Sequence, residues 1–91
     1  MARSKVGYMT GTSTLDQDLV PDIATLEGYA SDVPLWLEEI RLTVDGACNI
    51  SVNESAAIPL GANETFVLEN FTVASLVIDT ASVTYSIVYI Y

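Results

Sequence analysis

The chain has 91 residues, with 3 Lys and Arg, 12 Asp and Glu and no His, so its formal net charge is −9. This length predicts one domain, which is marginally stable unless disulfides, a metal or partner subunits support it. The missing His excludes Ser-His-Asp and Cys-His nucleophiles. The single Cys excludes an internal disulfide and argues against zinc. The acidity argues against nucleic acid as a partner, since Lys and Arg supply phosphate affinity.

Residues 1–34 are predicted to be an N-terminal arm and linker outside the main domain. The first fourteen residues are small and polar without an apolar period, which is typical of an extended segment. Arg3 and Lys5 make this segment cationic, whereas the chain from Val6 onward has one cation against 12 acids, a net −11. The arm is expected to grip a neighbouring subunit, and deleting residues 1–14 is expected to leave the β core folded.

One short helix is predicted near the end of this region. Leu19, Ile23 and Leu26 recur at helical spacing, but a Pro in a helix interior is costly. A helix that has Pro21 in its first turn and ends at Gly28 satisfies both observations.

From residue 35 onward the hydrophobic period is two, which is typical of strands with one buried face. Two such runs flank Asp45-Gly46, a dipeptide that favours a tight antiparallel hairpin. Ile58-Pro59-Leu60 predicts an edge strand, because Pro cannot donate to a strand ladder. The sequence therefore predicts a mainly β protein, with a small antiparallel β-sandwich or barrel-like domain at residues 35–91.

The last predicted strand, residues 82–91, is apolar on both faces. Such a strand is either central in a sheet or covered by another subunit. Burial by a neighbouring subunit is the simpler explanation, and on this interpretation Tyr89 and Tyr91 belong to an interface. Trp36 is interpreted equally as a core residue or as an interface anchor. The stretch at residues 70–91 contains Asp79, whose placement inside a bilayer costs about 2.5–3.5 kcal/mol, so no membrane partner is predicted.

The polar motifs predict no catalytic, cofactor or metal site. Glu38 and Glu39 are adjacent and would point to opposite faces of a strand, so they would not share a proton. Glu39 is expected to pair with Arg41 instead. No set of nucleophile, general base and metal ligands is found, and we predict no enzyme activity.

All four asparagines lie in N-x-S/T sequons, namely Asn49, Asn53, Asn63 and Asn70. They are interpreted either as glycosylation acceptors or as polar residues on the wet face of strands. No signal-peptide pattern is recognised, which favours the structural interpretation.

The segments IRLTVDGACNISVN (40–53), AIPLG (57–61), FVL (66–68) and ASLVI (74–78) resemble small β-structured virion proteins of tailed phages and viruses. Capsid decoration proteins and head-accessory components belong to this group. The resemblance covers residues 35–91 and rests on the strand pattern, so no functional residue is carried over from it. It implies trimers or lattice contacts, a location in the virion, and arms that hold neighbouring subunits.

Three classes of function remain: an assembly protein, a carbohydrate- or peptide-binding sandwich, and an enzyme. We expect the first, a capsid decoration or head-accessory protein that binds copies of itself and another virion protein such as the major capsid protein. The carbohydrate- or peptide-binding module is the alternative. The predicted interface residues are Arg3, Lys5, Val6, Tyr8, Met9, Trp36, Tyr89 and Tyr91.

Overall fold

A computed structural model of the chain describes residues 5–30 and 34–91. Within these residues the chain is mainly β, as predicted, with a single short helix. The elements are β1 (Val6–Thr12), β2 (Gln17–Asp18), α1 (Leu19–Leu26), β3 (Leu37–Val44), β4 (Cys48–Val52), β5 (Ile58–Leu60), β6 (Thr65–Val73), β7 (Leu76–Ile78) and β8 (Thr84–Ile90).

The strands form two antiparallel sheets of four strands each. Sheet A has the order β1-β8-β3-β6, and sheet B has the order β2-β7-β4-β5. The first strand thus pairs with the last, the second with the seventh, the third with the sixth and the fourth with the fifth. These nested pairs describe one long antiparallel hairpin rolled into a sandwich, which is the jelly-roll arrangement.

The core lies between the two sheets, where strand alternation directs the apolar residues inward. The inner row of β8 is buried next to the inner row of β3, because the register pairs Ile87 with Leu42 and Tyr89 with Ile40. β8 occupies an interior position in sheet A, so the favoured explanation, cover of this strand by a neighbouring subunit, is corrected in favour of a central strand. Cys48 is also buried in this core, without a disulfide.

The first strand corrects the predicted division into an arm at 1–34 and a sandwich at 35–91. β1 is a strand of sheet A, paired with β8 from Val6 to Thr12. β2 belongs to sheet B, where it pairs with β7. The sequence of β1 shows no apolar period because its inward positions include Gly7 and Gly11, which leave space for the tyrosines of β8.

The hairpin predicted at Asp45-Gly46 is wrong, because β3 and β4 lie in different sheets. A two-residue type I′ turn requires positive φ at both central residues, and neither Asp45 nor Gly46 has it. Asp45 binds β8 instead: its backbone N–H donates to Thr84 O at 3.0 Å, and its Oδ1 accepts from Thr84 N at 2.9 Å. The turn therefore carries the chain from one sheet to the other.

Helix α1 begins at Leu19, two residues before the predicted start at Pro21, because Asp18 is its N-cap. The carboxylate of Asp18 accepts from Val20 N at 3.1 Å, and Pro21 lies in the first turn, where its missing N–H costs nothing. The helix ends next to Gly28, which has a φ of 86°, as the sequence predicted. Its buried face, Leu19, Val20 and Ile23, closes one end of the sandwich.

Three of the sequon asparagines have left-handed backbone conformations, in which Asn is several-fold enriched. Their φ values are 51° at Asn53, 62° at Asn63 and 55° at Asn70. Asn53 also joins the link between β6 and β7, because its Oδ1 accepts from Ala74 N at 2.7 Å and its Nδ2 donates to Thr72 O at 2.8 Å. These positions therefore have a backbone reason for Asn that differs from the predicted wet strand face.

Candidate functional site

An irregularity in sheet A opens a groove on its outer face. The register pairs Leu37 with Val73 and Glu39 with Glu69, so a two-residue step in β3 faces a four-residue step in β6. The additional residues bulge outward at Asn70, where φ is 55°. Bulges of this kind redirect side chains, and here Phe71 is 47% exposed.

The groove has a volume of about 390 Å³ and combines aromatic, aliphatic and acidic side chains. Its lining residues are Trp36, Glu38, Glu39, Asn70, Phe71, Thr72 and Ile90. The expectation that the two glutamates point to opposite faces is therefore wrong, because β3 is irregular where they lie and both line the same groove. Trp36 is 52% exposed, and its interpretation as a core residue is corrected.

Arg41 forms ion pairs with two glutamates beside the groove, and one of them is Glu39, as predicted. Its Nε lies 3.4 Å from Glu39 Oε2, and one of its terminal nitrogens lies 3.5 Å from Glu69 Oε2. Glu39 and Glu69 are directly opposite on neighbouring strands, where two like charges repel. Arg41 thus reduces the repulsion at this rim of the groove.

An exposed apolar surface continues from the groove across the outer face of sheet A. Ile90 lines the groove and pairs with Val6 of β1, while Val88 pairs with Tyr8 in the next row. Tyr8 is 59% exposed and Val88 is 38% exposed. We call this surface the outer apolar patch and define it as Val6, Tyr8, Trp36, Phe71, Val88 and Ile90.

A second groove, of about 400 Å³, lies on the other side of Trp36. Its walls come from α1 and from the segment that leads into β3, and they include Pro21, Tyr29, Leu35 and Ala74. Trp36 therefore separates an acidic groove from a mostly apolar one.

The structure brings only some of the predicted interface residues together. Val6, Tyr8 and Trp36 belong to the outer apolar patch, and Lys5 is exposed at the start of β1. Met9 faces inward and packs against the core, so its predicted burial on a neighbour is corrected. Arg3 lies outside the described residues.

Tyr89 and Tyr91 are not surface residues, and their prediction as interface contacts is corrected. Tyr89 has 0% exposure and Tyr91 has 9%. Both hydroxyls donate to the carboxylate of Glu27, with Tyr91 Oη 2.6 Å from Glu27 Oε1. The rings of Tyr89 and Tyr91 also contact each other, with their centroids 5.7 Å apart. This cluster fixes the end of α1 to the inner face of sheet A.

The hydrogen bonds of this cluster shift the pKa values of its members. The Tyr89 hydroxyl, followed by that of Tyr91, holds the pKa of Glu27 below its ordinary value of 4.5. The bond to Glu27 raises the pKa of Tyr91 to about 12. Burial and the same carboxylate raise the pKa of Tyr89. The ionised carboxylate with two protonated tyrosines is therefore the stable state at neutral pH.

We expect Glu27→Gln to lower the free energy of unfolding at pH 7 by about 1 kcal/mol, because the two hydroxyls donate to different oxygens of Glu27 and a neutral amide has only one acceptor oxygen. The Glu27 pKa is lowered by folding, so its contribution is complete above the ordinary pKa of 4.5 and is lost as pH falls through the lower folded value. Urea denaturation of both proteins from pH 7 to pH 3 should show the difference shrinking with acid. The exposed Glu54→Gln serves as the control, and a gap that stays constant with pH contradicts the assignment.

Sequence reasoning missed three members of the patch, Phe71, Val88 and Ile90, and one of the cluster, Glu27. Phe71 was placed in a strand without a functional role, and its exposure follows from the bulge at Asn70. The sequon at this position was the available signal, since Asn is also a residue of left-handed turns. Val88 and Ile90 were noted only as part of an apolar strand face, and nothing in the sequence connected Glu27 with the final strand.

Within residues 5–30 and 34–91, no three or more His, Cys, Asp or Glu side chains are grouped closely enough to hold a metal ion. None of the helical structure in this part of the chain is long and apolar enough to span a bilayer. Comparison with protein-family models, with curated proteins and with solved structures gives no match.

Proposed function

We propose that this chain is a non-enzymatic structural component of a viral particle, a capsid decoration or head-accessory protein. In this role it binds neighbouring subunits through the outer apolar patch. The patch is the observation that carries the proposal: aromatic and aliphatic side chains adjoin one another across three strands of sheet A and the segment before β3. Continuous exposed apolar surface marks interaction sites, and Trp and Tyr are the residue types that dominate binding energy there.

Two further observations support an assembly role. Jelly rolls are found in viral capsid domains, although they also occur in lectins and cupins, so the fold alone assigns no function. The net charge of −9 disfavours contact between copies over most of the surface, and the patch offers a place for contact within it.

The proposal predicts that the chain sediments with intact particles of the virus that encodes it. Density-gradient fractions probed with an antibody against the chain should show it in the particle band, and not only among free proteins. Purified chain should rebind particles from which it has been washed, whereas Trp36→Ser and Phe71→Ser should each weaken rebinding at least tenfold. Leu15→Ser is the matched control, because Leu15 is 70% exposed but lies outside the patch. Absence of the chain from the particle band would overturn the proposal.

A carbohydrate-binding module is the second candidate function, and the composition of the acidic groove favours it. Trp36 and Phe71 offer flat apolar surfaces, while Glu39, Asn70 and Thr72 offer hydrogen-bonding groups beside them. Sites for small polar ligands combine an apolar lining with a few such groups. Saturable binding to a neutral glycan array at micromolar or lower concentration, lost in Trp36→Ser, would favour this function over assembly.

A further inference from the structure

Among residues 5–30 and 34–91, β1 pairs only with β8 and lies at the end of sheet A, so one side of its backbone has no partner strand there. Lys5 and Tyr91 exchange backbone hydrogen bonds of 3.3 and 3.0 Å, and Ser13 N donates to Val83 O at 2.8 Å. Antiparallel pairing alternates between bonded and non-bonded positions. The intervening residues Val6, Tyr8, Thr10 and Thr12 therefore direct their N–H and C=O groups away from β8.

The other three edge strands are protected against further pairing. β2 has two residues, and β5 has three with Pro59 at its centre. The free edge of β6 carries Glu69 and is interrupted by the bulge at Asn70. β1 has seven residues in continuous register, with no proline and no charged side chain. It lacks the usual devices by which proteins block edge pairing.

We propose that β1 pairs antiparallel with β1 of a second copy of this chain, about a two-fold axis at Met9. In this register Tyr8 lies opposite the partner's Thr10, and Val6 lies opposite the partner's Thr12. All four outward-directed residues of each copy then exchange backbone hydrogen bonds. The two four-stranded sheets become one continuous sheet, with both outer apolar patches on the same face.

Charge favours a second copy as the occupant of this edge. Two chains of charge −9 repel at most surfaces, and β1 is a strip on which neither copy carries an acid. In the same register Lys5 lies opposite the partner's Ser13, so no like charges face each other along the pair. The pairing also joins Val6 and Tyr8 of both copies into one apolar surface.

This inference deepens the proposed assembly function by naming its first partner, and to that extent rests on it. Its test is separate, because it uses the purified chain without particles. A chain that does not dimerise would contradict this inference without contradicting particle binding. A chain that is absent from particles would contradict the proposed function without contradicting the dimer.

Amide hydrogen exchange, followed by NMR at low and high chain concentration, tests the pairing directly. The amides of Gly7, Met9 and Gly11 bond to β8 and should be protected at both concentrations. Those of Tyr8 and Thr10 should exchange at least tenfold more slowly at high concentration, where light scattering should give twice the 9.8 kDa mass of the chain. Fast exchange of both amides at millimolar concentration would overturn the proposal, as would a mass that remains monomeric.

Two proline variants test which edge strand of sheet A, β1 or β6, forms the dimer contact. Thr10→Pro removes a backbone N–H that β1 directs away from its neighbour β8. Val67→Pro removes the equivalent N–H of β6. The hydrogen bond from Val44 N to Glu64 O sets this alternation, in which the backbone groups of Phe66 and Leu68 point toward β3 and those of Val67 point away from it. Thr10→Pro should weaken dimerisation at least tenfold, while Val67→Pro should leave it unchanged. Equal effects of the two variants would contradict pairing through β1. Should Thr10→Pro not fold, the exchange measurement on the unaltered chain decides the question alone.

Discussion

Deletion of residues 1–14 is expected to abolish cooperative folding of the chain, which reverses the expectation from sequence that the β core would remain folded. The deletion removes the whole of β1, which is paired with β8 over seven residues. It also removes Ser13, a buried residue whose Oγ donates to Thr80 O at 2.6 Å and accepts from Val83 N at 3.0 Å. The free energy of unfolding of a domain of this size is only about 5–14 kcal/mol, and we expect the loss of β1 and of the Ser13 hydrogen bonds to cost more than this.

The truncated chain would also expose β8 as a new edge. Its inward row, including Tyr85 and Tyr89, would lose the covering backbone of β1, and long apolar edges promote aggregation. Circular dichroism of the truncated chain should show no cooperative thermal transition. A truncated chain that melts cooperatively within about 5 °C of the full chain, less than 1 kcal/mol for a domain of this size, contradicts this account.

Several strands after residue 35 were predictable from sequence because each depends on a local pattern, whereas β1 and β2 lie in the region that was predicted to be an arm and linker. Alternation of apolar and polar residues located β3, β4 and β8, and Pro59 identified β5 as an edge strand. The pairing of these strands was not predictable, because it depends on contacts between residues far apart in the chain. The turn at Asp45-Gly46 shows the difference, since a strong local hairpin signal was overridden by two hydrogen bonds between Asp45 and Thr84, one in each direction.

One non-local signal was present in the sequence but was not used. Gly7 and Gly11 are four residues apart, as are Tyr85 and Tyr89, and the structure pairs Gly7 with Tyr89 and Gly11 with Tyr85. Small residues opposite large ones on paired strands let their side chains share one layer of the core. The groove had a weaker signal, because Asn70 suits a left-handed backbone but does not specify the register shift between β3 and β6 on which the groove depends.

The largest effect of a single substitution in β1 is expected for Gly7→Ala. A Cβ at this position would lie 2.2 Å from Cε1 and 2.4 Å from Cζ of Tyr89, distances at which atoms overlap. The tyrosine ring has no room to withdraw, since it is fully buried and its hydroxyl donates to Glu27. Overpacking of this kind costs about 1–3 kcal/mol, and the loss of the Glu27 bond adds to it.

Gly46→Ala is the matched control, because a Cβ there would meet only Val83 Cγ2 at an ordinary 3.9 Å and the backbone has no positive φ. Urea denaturation should show a loss of about 2–4 kcal/mol for Gly7→Ala and a change within about 0.5 kcal/mol for Gly46→Ala. In a Tyr89→Ala background the Gly7→Ala change should cost little, since the atoms that it strikes are gone. An equal cost in both backgrounds would mean that Gly7 is required for its backbone and not for the space that it leaves to Tyr89.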